Sequence, residues 1–197
     1  KSKQIRALVV TPTRELAVQI GQNFDAYSKY TNINQLTIFG GVSQNPQVDS
    51  LRSGVDVLIA TPGRLLDLHK QGFIDLDHLH TLVLDEADQM LDMGFINDVK
   101  KIVKLTPKNR QILLFSATMP LAIRELAEMF LKDPEKVEVS PVSSTAENVE
   151  QHIYFVEKGE KRNLLYHLIK NQNLSDVLVF SRTKHGADNV VKALRKN

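Results

Sequence analysis

Short aliphatic runs punctuate the chain at regular intervals. "RALVV" ends at Val10, "LTIF" at Phe39, "VDVLIA" at Ala60, "TLVL" at Leu84, "QILLFSAT" at Thr118, "HIYFV" at Val156 and "DVLVFS" at Ser181. Most are apolar at consecutive positions instead of alternating, the pattern of strands buried on both faces of a parallel sheet. Between them, "RELAVQIGQNFDAYSKY" sets Leu16, Ile20, Phe24 and Tyr27 three and four residues apart, and "FINDVKKIVKL" and "LAIRELAEMFL" repeat that spacing. Each predicts an amphipathic helix. Strands alternating with helices predict an α/β fold, a parallel sheet with helices on both faces.

The pattern changes once, at "VSPVSSTAENVEQ", where Ser, Thr and Pro replace bulky apolar residues. This predicts a first domain over 1–139, a linker over 140–148 and a second α/β unit over 149–197. The second unit has about two strands to its name, fewer than a sheet needs to bury its faces, and reads as the beginning of a domain.

Composition narrows the classes. The hydrophobic fraction is 42% and the charged fraction 24%, ordinary values for a globular protein. No apolar run is long enough to cross a bilayer, and the start has no signal-peptide pattern, so the expected location is the cytoplasm with no membrane partner. The absence of cysteine excludes a disulfide framework and thiolate metal sites. The 25 basic and 23 acidic residues leave a formal charge of +2, so a polyanion would have to be held by local patches and backbone amides. The six histidines have no paired spacing and carry no expected metal role. Met90, Met93 and Met129 read as core filler, and Phe180 as core.

In open α/β sheets, ligands bind beyond the carboxyl ends of the strands. A polar, turn-forming sequence follows each of the first five apolar runs: "TPTREL", "GG", "TPGR", "DEAD" and "SAT". One sheet rim would then carry all five.

"DEAD" places Asp85, Glu86 and Asp88 within four positions after an apolar strand. A carboxylate so presented suits Mg2+ on the phosphates of a nucleotide, because magnesium keeps several waters and needs few protein ligands. Asp85 is the expected metal partner, and Glu86 the group that orients and deprotonates an attacking water. Taken alone, the same residues read equally as a solvated loop capping a helix through Asp85 or Asp88. "SAT", Ser116 to Thr118, is expected to cap the helix "LAIRELAEMFL", with Pro120 near its first turn. Its hydroxyls are also within reach of a second role, hydrogen bonding to Asp88.

"TPTREL" and "TPGR" each set Thr, a φ-fixing Pro and an Arg at a strand-to-helix junction. Helix N-termini attract phosphate, and Arg adds a charge-assisted contact. Gly40, Gly41 and Gly63 would let a sugar-phosphate backbone approach the main chain. Such contacts position without reading sequence. Either motif alone also reads as ordinary turn chemistry. In the second unit, Arg182, Thr183 and Lys184 follow a predicted strand and precede a predicted helix, and are candidates for phosphate contact.

The order "PTRELA", "GG", "TPGR", "DEAD", "SAT" and "VLVFSRTK" resembles the DEAD-box ATP-dependent RNA helicases over nearly the whole chain. "GGVSQNPQ" and "RTKHGAD" look most like the bacterial RhlE group. The resemblance implies RecA-like domains, a first and the start of a second, that close over ATP and single-stranded RNA and separate short duplexes locally. It implies Asp85 and Glu86 as Mg2+ and water-activating residues, and Asp88, Ser116 and Thr118 as the link between hydrolysis and RNA grip. It further implies Pro12, Thr13, Arg14, Gly41, Thr61, Gly63 and Arg64 as RNA-backbone contacts, with Arg182 and Thr183 part of the second domain's contribution.

The sequence departs from that family in one respect that matters for chemistry. No G-x-x-x-x-G-K-[ST] occurs in it, and the later motifs of a second domain, the arginine finger among them, are not found. The expectation is that these residues alone do not turn over ATP, and that a sheet lacking an interior strand is destabilised by unpaired edges. Two other readings compete with the enzyme: a non-catalytic RNA-binding module using "TPTREL" and "TPGR", and a DNA-directed helicase of the same superfamily.

Overall fold

A computed structural model describes residues 4–139, 150–171 and 174–195. The chain divides into two compact units, Lys1–Ser143 and Ser144–Asn197. The expected linker, 140–148, lies outside the described residues.

The first unit is built on five strands: β1 (Ala7–Val10), β2 (Gln35–Ile38), β3 (Val57–Ala60), β4 (Thr81–Leu84) and β5 (Gln111–Leu114). All neighbours run parallel, in the order β2-β3-β1-β4-β5. The helices of this unit are α1 (Arg14–Ser28), α2 (Asn45–Ser53), α3 (Pro62–Lys70), α4 (Ala87–Asp92), α5 (Ile96–Lys104) and α6 (Leu121–Phe130). The apolar runs predicted these strands for a physical reason. β3 is buried at every position, and Leu8, Leu58 and Leu82 are wholly buried in the main core, so the middle of the sheet is apolar on both faces, while the polar strand residues Gln35 and Gln111 are not buried. Truncating any of those leucines to Ala costs about 3 kcal/mol.

The register decides where function can sit. Val10 pairs with both Ala60 and Leu84, Ile38 with Ala60, and Leu84 with Leu114. Every strand therefore ends level, and the residues that follow share one rim. β1 lies in the middle, with the chain winding to β2 and β3 on one side of it and to β4 and β5 on the other. A crevice forms at such a change of direction.

Three details of packing differ from expectation. Tyr27, placed by spacing on the buried face of α1, is 82% exposed, while Ala17 and Gly21 are buried instead. Helix α1 lies so close to β2 that a Cβ on Gly21 would fall 2.3 Å from Thr37 Oγ1, leaving room for small residues only. Met90 is core, but Met93 and Met129 are exposed, because they leave the buried face of their helices. The predicted strand over "QILLFSAT" stops at Leu114: the Phe115 amide still donates to Leu84 O at 2.8 Å, but its carbonyl accepts from the Ala87 amide of the DEAD loop.

The second unit holds α7 (Lys161–Asn171) and α8 (Lys184–Leu194), which touch each other and bury no residue fully. The strands predicted at "HIYFV" and "DVLVFS" are absent among the described residues of this unit. A strand is defined by its ladder, and neither segment has a hydrogen-bonded neighbour there. Phe155 and Phe180 are accordingly exposed, so Phe180 is not the core residue its sequence context suggested.

Candidate functional site

At one end of the rim the DEAD loop crosses the sheet by backbone bonds. The Asp85 amide donates to Val10 O at 2.9 Å, tying it to β1, and the Ala87 amide donates to Phe115 O at 3.0 Å, tying it to β5. Between them Glu86 adopts a left-handed conformation, φ 51° and ψ 53°, and serves as the N-cap position of α4. A non-glycine residue there is uncommon and costs energy. The result is a sharp turn in which Asp85 Oδ1 accepts the Glu86 amide at 3.0 Å, while Glu86 makes no cap bond with its side chain.

Asp88, in the first turn of α4, faces the SAT loop. The Thr118 hydroxyl and the Thr118 amide both donate to Asp88 Oδ2, at 2.7 and 2.9 Å. The Asp88 amide donates to Ser116 Oγ at 3.1 Å, and that hydroxyl donates onward to Thr118 O at 2.7 Å. Partial burial of Asp88 opposes its ionisation, but the Thr118 hydroxyl and amide, helped by Ser116 and the Gln89 amide, outweigh it and hold the carboxyl below its ordinary range. The expected capping of α6 by SAT is corrected here. Pro120 is the N-cap of α6 and no side chain caps it, because the Ser116 and Thr118 hydroxyls are turned to α4. The helix-capping reading of the acids gives way for the same reason: Asp88 serves the SAT loop.

Farther along the rim, a cleft of about 480 Å3 opens where β1, β2 and β3 end. The expected residues Pro12, Arg14, Thr61, Gly63 and Arg64 line it. Arg14 opens α1, with its guanidinium 4.7 Å from the centre of the Phe39 ring. Thr61 is the N-cap of α3 but makes no capping bond, so its hydroxyl is not spent on the helix, and the Gly63 Cα faces open space. Thr13 and Gly41 are not in the wall. Thr13 Oγ1 caps α1 by accepting the Leu16 amide at 3.2 Å, and Gly41 sits in the adjoining loop with φ +79°, a conformation that needs glycine.

Gly40, expected with Gly41 and Gly63 to admit a sugar-phosphate backbone, lines the wall too, while sequence reasoning missed Phe39, Asp67 and Phe95. Asp67 was within reach, since it stands one helical turn after Arg64 and so shares its face. Phe95 left no local signal. Arg182 and Thr183 belong to the second unit, where Thr183 Oγ1 caps α8 by accepting the Gly186 amide at 3.0 Å and Arg182 is exposed.

Magnesium fits the donor set in a limited way. Among the described residues no group of three His, Asp or Glu is placed to hold a metal ion. One half-buried carboxylate at the end of β4 is not a protein cage, but it suits an ion that keeps its waters and shares its coordination with phosphate.

Residues 1–126 match the model of the DEAD/DEAH box helicases. The chain belongs to this family. Among curated members, it is 43% identical over 195 residues to the ATP-dependent RNA helicase RhlB of Pseudomonas aeruginosa, covering 98% of this chain and 49% of that protein. It is 41% identical over 194 residues to the DEAD-box ATP-dependent RNA helicase CshA of Geobacillus kaustophilus, covering 98% of this chain and 42% of that one. The chain thus spans about half the length of the curated relatives it matches. Its fold is similar to the crystal structure of a DEAD box protein from Methanococcus jannaschii, with a TM-score of 0.66 and 36% identity over 98% of this chain and 52% of that one. A hypothetical ATP-dependent RNA helicase from Sulfolobus tokodaii gives a TM-score of 0.63 at 42% identity, over 66% of this chain and 39% of that chain. The five-stranded sheet is thereby that of a RecA-like DEAD-box domain. The relatives support the family and do not single out the RhlE group. Among the described residues no helix is long and apolar enough to cross a membrane.

Proposed function

We propose that these residues serve an ATP-dependent RNA helicase of the DEAD-box family, acting in the cytoplasm on single-stranded RNA and short duplexes. The reading is carried by one observation. The Asp85–Glu86 turn, the Asp88–Thr118 bonds and the Arg14–Arg64 cleft all stand on a single rim, at strand ends held level by one register. Asp85 would be the residue to hold Mg2+, and the ion would supply positive charge to offset the negative charge developing on the transferring phosphoryl group. Glu86, whose side chain makes no cap bond to α4, orients a water and accepts its proton.

Asp88, Ser116 and Thr118 link the two activities. α4 carries Asp88 two residues beyond Glu86, and the SAT loop continues β5. A displacement of the Asp85–Glu86 turn is therefore passed to the loop through hydrogen bonds. In the cleft, Arg14 supplies charge to the RNA backbone, while Pro12, Thr61, Gly63 and Arg64 border its path, with Thr13 and Gly41 beside them. The two-domain division at 1–139 and 149–197 belongs to the same proposal, with Arg182 and Thr183 as the second domain's contacts.

The test is equilibrium binding of a single-stranded RNA ten-mer, with Mg2+-dependent ATP hydrolysis measured beside it. RNA binding weakened by Arg14→Ala is expected, and in any preparation that hydrolyses ATP, RNA stimulates turnover and Glu86→Gln abolishes it. Turnover that survives Glu86→Gln would overturn the catalytic assignment. RNA binding indifferent to Glu86→Gln in a protein that never hydrolyses ATP would favour the non-catalytic module instead.

A further inference from the structure

The loop 39–44, which walls one side of the cleft, is not held by its own backbone. Three side chains hold it. Gln47, 8% exposed in α2, donates from Nε2 to Phe39 O at 3.2 Å and to Ser43 O at 3.5 Å. Arg64 donates from Nη2 to Val42 O at 2.8 Å. Gln44 and Gln71 exchange amide bonds at 2.9 and 3.1 Å, stitching the loop to α3. The bonds to Phe39 O and Ser43 O fix which way the Gln47 amide points, since two carbonyl oxygens can only be met by its NH2. Its Oε1 is then buried without a partner, as is Arg64 Nη1. Keeping two such groups is costly, and the loop they brace contains Gly41 at φ +79°.

We propose that Gln47 and Arg64 are positioning residues that clamp this loop as a pre-formed wall of the RNA cleft. The proposal rests on reading the cleft as the path of RNA. Arg64 then acts through Val42, its buried Nη1 being unable to face a phosphate, and Arg14 carries the charge contact. Preorganisation of this kind raises affinity by removing the ordering cost from the binding step.

Gln47→Leu should lower the backbone amide order parameters of Gly40, Gly41 and Val42 from about 0.85 to below about 0.6, while those of core amides hold. It should also weaken RNA binding about tenfold. Gln47→Glu supplies a readout that a general structural role would not move. Its carboxylate would face two carbonyl oxygens, and burial together with those acceptors favours the protonated form, which can donate one bond back. RNA affinity of Gln47→Glu should therefore recover relative to the unmodified protein as pH falls from about 8 to about 5.5, because every other charged group is common to the two proteins and cancels in the ratio. Arg64→Met should weaken binding without changing its salt dependence, whereas loss of a phosphate contact would reduce the slope by about 0.7. Unchanged loop order parameters in Gln47→Leu, a flat pH ratio for Gln47→Glu, or a reduced slope for Arg64→Met would each overturn the clamp. Failure of the unmodified protein to bind RNA would overturn the cleft reading, and the order parameters still decide whether the loop is clamped.

Discussion

Thr118 binds Asp88 twice, through hydroxyl and amide to the same carboxylate oxygen, across thirty residues of sequence. The pair joins α4 to the loop after β5, and in the proposed function it is the link that would carry a change at Asp85–Glu86 to the rest of the rim. Thr118→Val keeps the shape and the amide bond and removes one donor to a charged group. Because the site is largely open to solvent, the loss in stability should be about 1 kcal/mol, read by urea unfolding at neutral pH. A variant as stable as the original would mean that the hydroxyl bond is replaced by water at no cost.

The same contact fixes a pH dependence. The Asp88 carboxyl is held below its ordinary range by the donors around it, against the effect of burial. A carboxyl depressed in the folded state stabilises the fold fully above its unfolded value, and that contribution is lost as pH falls through the folded value. Stability should therefore be flat in this respect down to about pH 4 and fall below it. In Thr118→Val the Asp88 carboxyl, followed by its carbon chemical shift, should titrate at higher pH than in the unmodified protein. An unshifted midpoint would remove Thr118 as the cause.

Glu86 sits in a left-handed conformation that its side chain does nothing to favour. Asn tolerates that region far better than Glu. Glu86→Asn should raise stability by about 0.5 kcal/mol while removing the proposed base, so that stability and turnover move in opposite directions. Thermal unfolding beside ATP hydrolysis tests this, and a variant that loses both would show the turn to be set by something other than backbone strain.

How far these features were legible in the sequence depends on how local their causes are. The five strands of the first unit were readable because burial on both faces forces consecutive apolar residues, as in Val57 to Ala60. The polar rim followed from parallel topology alone. The Thr118–Asp88 bond was foreseeable from chemistry, but the competing role of capping α6 was equally local and could not be dismissed until the two loops were seen together. Phe39 and Phe95 entered the cleft wall through tertiary packing, which no spacing records. The strands expected over 152–156 and 176–181 have strand-like sequences without strand partners among the described residues, since apolar character proposes a strand and only a neighbour completes it.

Thr11 lies at the centre of the rim, wholly buried, with its hydroxyl lacking a hydrogen-bond partner. Its amide is paired with Ala60 O at 3.1 Å, so the backbone is satisfied and the side chain alone carries the cost. Thr11→Val replaces the hydroxyl with a methyl group of similar size in an apolar surround. It should stabilise the protein by about 1 kcal/mol, raising the urea midpoint without changing the slope. Destabilisation would mean that the hydroxyl is bonded in solution, through a buried water or a rotated side chain.

Arg14 and Asp67 stand in the same cleft wall with opposite charge, which makes the RNA contact sensitive to each in a different way. Arg14 is exposed, opens α1 and stacks on Phe39, so under the proposed function it would meet phosphate at a helix N-terminus already favourable to anions. Its removal should weaken binding of single-stranded RNA about five- to tenfold, uniformly across sequences, and reduce the slope of log affinity against log salt by about 0.7. Asp67 opposes phosphate at the same site, and Asp67→Asn should do the reverse in magnitude alone, tightening binding at low salt with the gain fading as salt screens the charge. Fluorescence anisotropy of a labelled RNA ten-mer from 50 to 300 mM salt would measure both. A slope unchanged in Arg14→Ala would place the RNA backbone elsewhere on the rim, and with it the charge that holds it.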